Sequence, residues 1–148
     1  MNQRILAITL LAAVTTSVAA GLYAFGILPG SRTISNEGTL KAIGVSVYWE
    51  SSCQTNVTSI NWGLVEPGSS QNVHVWIRNE GNVPVTLTMT KSNWSPSAAS
   101  TFMTVSWNRN NYVLGSGNTV EAIISLVVDA DVVDITDFSF DITIIGTE

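Results

Sequence analysis

The sequence predicts an all-β fold, with about seven short strands stacked as two facing sheets behind a single N-terminal apolar helix. Three observations carry this. Beyond about residue 39 the chain repeats a period-two alternation of apolar and polar side chains, the mark of half-buried strands. Clusters of Gly, Pro, Asn and Ser punctuate that alternation, as at Glu66-Pro67-Gly68-Ser69 and Gly115-Ser116-Gly117-Asn118. The run from Ile5 to Leu28 carries no charged residue. At about 1.5 Å of rise per residue it is long enough to cross a hydrocarbon core about 30 Å thick.

Residues 1–28 are therefore expected to form a helix that is either kept as a transmembrane signal-anchor or removed as a signal peptide. The polar start Asn2-Gln3-Arg4 and the small residues Val18-Ala19-Ala20 suit signal peptidase. The apolar run nevertheless continues through Leu22, Tyr23, Phe25, Ile27 and Leu28, beyond the 7–15 residues typical of a cleaved signal. Tyr23 and Phe25 suit a membrane–water interface. Arg4 before the run and Arg32 and Lys41 after it leave the charge bias close to a tie, so the extracytoplasmic look of the remainder sets the orientation. Both alternatives put that remainder outside the cell, anchored as a single-pass membrane protein or secreted. Residues 29–38, PGSRTISNEG, read as a small, polar tether.

The domain proper is expected over 39–148. Its first strand is Thr39–Trp49, with a bulge or kink where the phase changes at Gly44. A short strand Val57–Trp62 follows. Gln71–Arg78 alternates cleanly, with Val73, Val75 and Ile77 on one face and Asn72, His74, Trp76 and Arg78 on the other. Asn79-Glu80-Gly81-Asn82 reads as a tight turn, and Val83–Thr90 as the returning strand of a hairpin. Phe102–Trp107, a run near Tyr112–Leu114, Thr119–Val128 and Asp137–Ile145 complete the set. No segment beyond residue 30 shows a sustained helical period. This is the size and rhythm of an immunoglobulin-like β-sandwich.

Composition excludes some partners. From Pro29 onward five cations stand against all eleven acids, a net charge of −6, which argues against nucleic acid as a partner because phosphate binding needs a basic surface. Cys53 is the only cysteine, so the chain holds no internal disulfide. Its thiol is expected to be buried or inert, the alternative being a bond to a second chain.

The segments Ile60-Asn61-Trp62-Gly63, Glu66-Pro67-Gly68-Ser69, Ile77-Arg78-Asn79-Glu80-Gly81-Asn82-Val83-Pro84-Val85 and Phe138-Ser139-Phe140-Asp141-Ile142 resemble small immunoglobulin-like domains of archaeal and other prokaryotic surface proteins. In layout (export helix, spacer, sandwich) the chain also resembles, more distantly, the TasA/camelysin group of fibre proteins. The resemblance spans most of 57–145 and rests on turn and core residues. It implies a fold and a cell-surface setting, and it brings no catalytic residues with it.

The chemistry-bearing residues are few. His74 is the sole histidine, which excludes a two-histidine blue-copper site, and no G-x-S-x-G elbow is present. No enzyme activity and no cofactor are expected. Asp129, Asp131 and Asp134, with Asp137 and Asp141, offer hard oxygen ligands that suit weak Ca²⁺ binding or simply a solvated loop. Asn56 and Asn93 head the sequons Asn56-Val57-Thr58 and Asn93-Trp94-Ser95. Of the five tryptophans, Trp49, Trp62 and Trp107 are expected to pack in the core or at sheet edges. Trp76, on a polar strand face, and Trp94, in a loop, are the candidates for an interaction surface. The expected partners are the membrane, through the N-terminal helix, and protein, either a second copy or other surface-layer components. Carbohydrate or calcium binding and fibre assembly by strand addition are the alternatives.

Overall fold

Strand after strand buries its alternate residues, and the computed structural model, which describes residues 34–148, shows where those faces meet. The expected helix over 5–28 lies outside the described residues. Among them no helix is long and apolar enough to cross a membrane. The strands are β1 (Ser35–Ile43), β2 (Ser46–Tyr48), β3 (Ser59–Ile60), β4 (Ser70–Arg78), β5 (Val85–Ser95), β6 (Met103–Trp107), β7 (Val113–Leu114), β8 (Thr119–Val128) and β9 (Asp137–Thr147). They form a five-stranded first sheet, ordered β3-β1-β9-β5-β7, and a four-stranded second sheet, ordered β2-β4-β8-β6. The all-β expectation holds.

One core joins the two sheets. Leu87, Phe140, Ile142 and Ile144 enter it from the first sheet, and Val75, Ile77, Ile124 and Leu126 from the second, each at most 1% exposed. The β4 alternation is as expected: Val75 and Ile77 are buried, while Asn72 and His74 are exposed. β8 spans the expected residues, Thr119–Val128.

Three features differ from the sequence reading. The first strand begins at Ser35, inside the expected tether, and ends at Ile43. Gly44 breaks it from β2 as the change of phase suggested. Its φ is +73°, and a Cβ there would run into the Gly146 carbonyl oxygen, so only glycine fits. Second, the hairpin between β4 and β5 does not form. β4 pairs with β2 and β8, whereas β5 pairs with β9 and β7. The turn after β4 instead carries the chain from one sheet to the other, and Asn79 holds it there. Fully buried, Asn79 donates from Nδ2 to the carbonyls of Val83 (2.7 Å) and Leu114 (3.1 Å), and accepts from the Gly81 N–H (2.9 Å). Two strands with inward faces look alike in sequence whether they share a sheet or oppose each other across a core. Third, a single helical turn, α1 (Ala99–Phe102), precedes β6 and buries Ala99.

The unusual pairing is that of β1. It runs parallel to β9 along its whole length, from Ser35 opposite Asp137 to Ile43 opposite Ile145. On its other side it pairs antiparallel with β3 (Gly38 opposite Ile60). That side extends as Leu40 N–H donates to the Thr58 carbonyl (2.9 Å) and Ile34 and Val65 exchange bonds of 2.8 and 3.1 Å.

Leu87 sits in this core with no exposure. Leu87→Asp should therefore bury an unpaired carboxylate and cost more than about 4 kcal/mol, read as a collapse of the urea midpoint. A change within about 0.5 kcal/mol would contradict the assignment of β5's inner face.

Candidate functional site

The chain enters the described domain at Ile34, and the residues that fasten it there define the most constrained surface region. Asn36 on β1 is 8% exposed, and its amide reads the main chain of a neighbouring segment. Nδ2 donates to the Gly63 carbonyl (3.0 Å), and Oδ1 accepts from the Trp62 N–H (2.9 Å). Because β3 is only two residues long, this side chain continues the pairing where backbone pairing stops. Two residues on, Gly38 lies against an indole. A Cβ there would touch Trp62 Nε1 at 3.6 Å and the Phe140 carbonyl oxygen at 3.4 Å. From the β3 side of the first sheet across to β5 the aromatic rings stack: Trp62 on Phe140 at 6.2 Å, Phe138 on Phe140 at 6.0 Å and Trp94 on Phe140 at 4.3 Å. The Trp62 indole N–H is buried without a partner.

Nothing in the sequence singled out Asn36. It sits in a Ser/Asn/Gly stretch that reads as a turn, and the one available signal was the alternation Ile34, Asn36, Gly38, Leu40.

On the outer face of the first sheet Asp141 ties three neighbouring strands together. Asn93 Nδ2 on β5 donates to Asp141 Oδ2 (2.8 Å), and Lys41 Nζ on β1 lies 3.6 Å from the same oxygen. The Asn93 hydrogen bond, with help from the Lys41 charge and against partial desolvation, holds the Asp141 carboxyl below the ordinary value of 3.8. Asn93 therefore has a structural tie besides heading a sequon. It sits with φ +55° at a bulge, where the β5–β9 register shifts between Ser92 and Ser95.

That bulge also decides the fate of Trp94. The tryptophan lies within β5, not in a loop, and the extra residue turns its ring inward onto Phe140, with planes 18° apart. Trp76 lies on the outer face of the second sheet, half-buried, in register with Tyr48 on β2 and Glu121 on β8. His74 is on the same face, exposed, with Nδ1 2.8 Å from Glu121 Oε1. Nearby, Tyr48 Oη donates to Glu80 Oε1 (3.0 Å), and Arg78 Nε is 3.4 Å from Glu80 Oε2. Trp62 is a core residue at 4% exposure, Trp107 is half-buried, and Trp49 is 41% exposed.

Asn56 is exposed, with its main chain bridged to Tyr48. Cys53 is half-buried with φ +55°, its Sγ 3.6 Å from the Ser51 carbonyl. In the β8–β9 loop, Asp129 Oδ1 accepts from the Asp131 N–H (2.9 Å), and Asp134 takes φ +58°. Among the described residues no three His, Cys, Asp or Glu side chains converge to hold a metal. Where β1 begins, an open groove of about 400 Å³ is lined by Asn36, Glu37, Asn61, Ser95, Asp137 and Ser139, with Phe138 among them. Its amides, hydroxyls and carboxylates can exchange hydrogen bonds with a polar surface.

Two measurements check these ties. Asn36→Ala leaves the Trp62 N–H and Gly63 carbonyl without their partner and should cost about 2–4 kcal/mol in denaturant unfolding, whereas Asn56→Ala should stay within about 0.5 kcal/mol. Asn93→Ala should raise the Asp141 pKa toward 3.8 in a carboxyl-carbon NMR titration. A depressed carboxyl stabilises the fold above the unfolded value, and that contribution is lost as pH falls through the folded value. The variant should thus unfold at a higher pH on acidification, and an unchanged Asp141 titration would contradict the assignment.

Compared with models of known families and with curated proteins, the chain matches none.

Proposed function

We propose that this chain is a non-catalytic structural or interaction protein of the cell surface, an immunoglobulin-like β-sandwich held to the membrane by residues 1–28 or released when they are cleaved. The observation that carries the reading is the seating of β1. The strand that follows the apolar segment and tether lies inside the first sheet, paired with β9 on one side and with β3 and its extension on the other. A domain whose point of attachment is a strand paired on both sides is suited to staying attached. The uncharged run before it supplies the membrane segment, and the domain's excess of acids suits an exposed, hydrated surface.

Intact-mass analysis of the N-terminus, together with surface biotinylation of intact cells, tests this. A chain that is labelled at Lys41 or Lys91 from outside fits the proposal. A chain found only inside the cell, whole and unlabelled, overturns it.

One further observation favours fibre assembly as a second reading. β1 is contiguous, N-terminal and joined to β2 through Gly44 and Val45 alone, and a short hinge under strain is a known route to strand exchange between copies. In a fibre, β1 of one copy would fill the same slot in the next. Negative-stain microscopy of the cleaved protein should then show filaments. A Gly44→Val variant, which cannot take the native hinge, should shift the distribution from monomers toward filaments, and monomers alone in both would refute this reading.

A further inference from the structure

Sheet margins are templates for another strand unless something blunts them, and this domain blunts parts of its own. β3 and β7, the margins of the first sheet, are two residues long. In the second sheet the outward carbonyl of Val105 on β6 is capped by Lys91 Nζ at 3.0 Å. The outer side of β2 is taken by Asn56 and by Val57, whose N–H donates to the Val47 carbonyl at 2.9 Å. Uncovered stretches remain on β5 beyond β7 and along β6, and one more, on β4, is bounded at both ends. β2 covers β4 only from Trp76 to Arg78, although β4 begins at Ser70.

The direction of the main-chain groups in that stretch follows from one hydrogen bond. Val128 N–H donates to the Ser69 carbonyl (2.9 Å), and antiparallel pairs alternate between bonded and non-bonded. Gln71, Val73 and Val75 therefore address β8, while Ser70, Asn72 and His74 point their N–H and C=O groups away from it. No described residue pairs with those outward groups, and all three residues are exposed.

We propose that this open half of β4 is a homotypic interface, through which two copies of the chain pair antiparallel with Asn72 on the two-fold axis. Three features select a second copy as the occupant. The turn at Pro67-Gly68 bounds the open stretch at one end, and β2 with the Glu50–Gln54 turn bounds it at the other. Room remains for a strand about five residues long, which is the length of Ser70–His74 itself. The stretch is self-complementary: Asn72 faces Asn72, and Ser70 faces His74 of the second copy, for about six main-chain hydrogen bonds. Its charge also permits the contact. In a domain of net charge −6, Ser70, Gln71, Asn72 and Val73 are uncharged. The carboxylates of Glu121 and Glu50 at its margin are engaged within their own copy, Glu121 with His74 and Glu50 with the N–H groups of Gln54 and Thr55. The pair joins the two second sheets into one.

The test uses the full chain in detergent. Sedimentation velocity should show concentration-dependent dimers that Asn72→Lys and Asn72→Glu each weaken by about fivefold or more, because like charges then meet on the axis. Mixing the two variants should restore association. Asn72→Pro, which removes an N–H with no partner inside the domain, should leave the fold intact and abolish pairing. In a Cys53→Ser background, Asn72→Cys should give a disulfide-linked dimer, since bonded antiparallel pairs bring Cα atoms to about 5.5 Å. Dimers that survive Asn72→Lys, as dimers made by N-terminal helices or by exchange of β1 would, overturn the proposal. So does a chain that stays monomeric, or an Asn72→Cys variant that folds yet forms no disulfide between copies.

Discussion

The first sheet depends on β1 being held from both sides. Without it, β9 would lose its partner from Asp137 to Ile145, β3 would have no partner, and Trp62 would lose the strand that covers it. The pairing is long-range in sequence, since Ser35 meets Asp137 and Ile43 meets Ile145. Such contacts carry a large loop-closure entropy before they return any stabilisation. The domain offsets this with side chains that lengthen the pairing: Asn36 reaching the main chain of Trp62 and Gly63, and the Lys41–Asp141–Asn93 set spanning three strands.

What the sequence made legible was which residues face inward. The limits of β4, β8 and β9 followed from alternation, and the break at Gly44 from a change of phase. What it hid was which strand lies beside which. The β4–β5 run has every local sign of a hairpin, yet Asn79, a polar residue that buries completely by satisfying three main-chain groups, redirects the chain across the core. Local pattern is blind to this because both outcomes bury the same faces. Trp94 was read as a loop residue since Asn93 and Pro96 flank it. A one-residue bulge at Asn93 brings it back into the stack on Phe140. Of the outward candidates, Trp76 stood out because it breaks the polar rhythm of its face, while Asn36 was invisible because its neighbours look like a turn.

The cations of the domain have little left to offer a ligand. Lys41 meets Asp141, Arg78 meets Glu80, Lys91 caps the Val105 carbonyl, and Arg109 donates to the Glu121 carbonyl at 2.7 Å while lying 5.2 Å from the Tyr112 ring. Each of these four charges, all those among the described residues, has a partner within the domain, and the carboxylates outnumber them. Glu37, Asp129, Asp131, Asp134 and Asp137 lie at or near the end where β1 enters. Long-range fields of this sign repel anionic surfaces over about 8 Å at physiological salt, which favours a domain that stands clear of its surroundings and makes contact through neutral surfaces.

The parallel run of β1 and β9 has a mechanical meaning. A load that reaches Ile34 from the preceding chain, directed along β1 while the rest of the domain is held, acts along the strand axis and across the hydrogen bonds on both flanks. The bonds to β9, to β3 and to Thr58 then share the load and must slip together, along with the Asn36 amide and the side chains seated over Phe140. A load directed across the strand axis would instead peel the pairs open one at a time. Pulling on the chain that precedes Ile34 thus loads the first sheet along its strands, and the load is spread over the aromatic floor of the molecule before any strand can leave it.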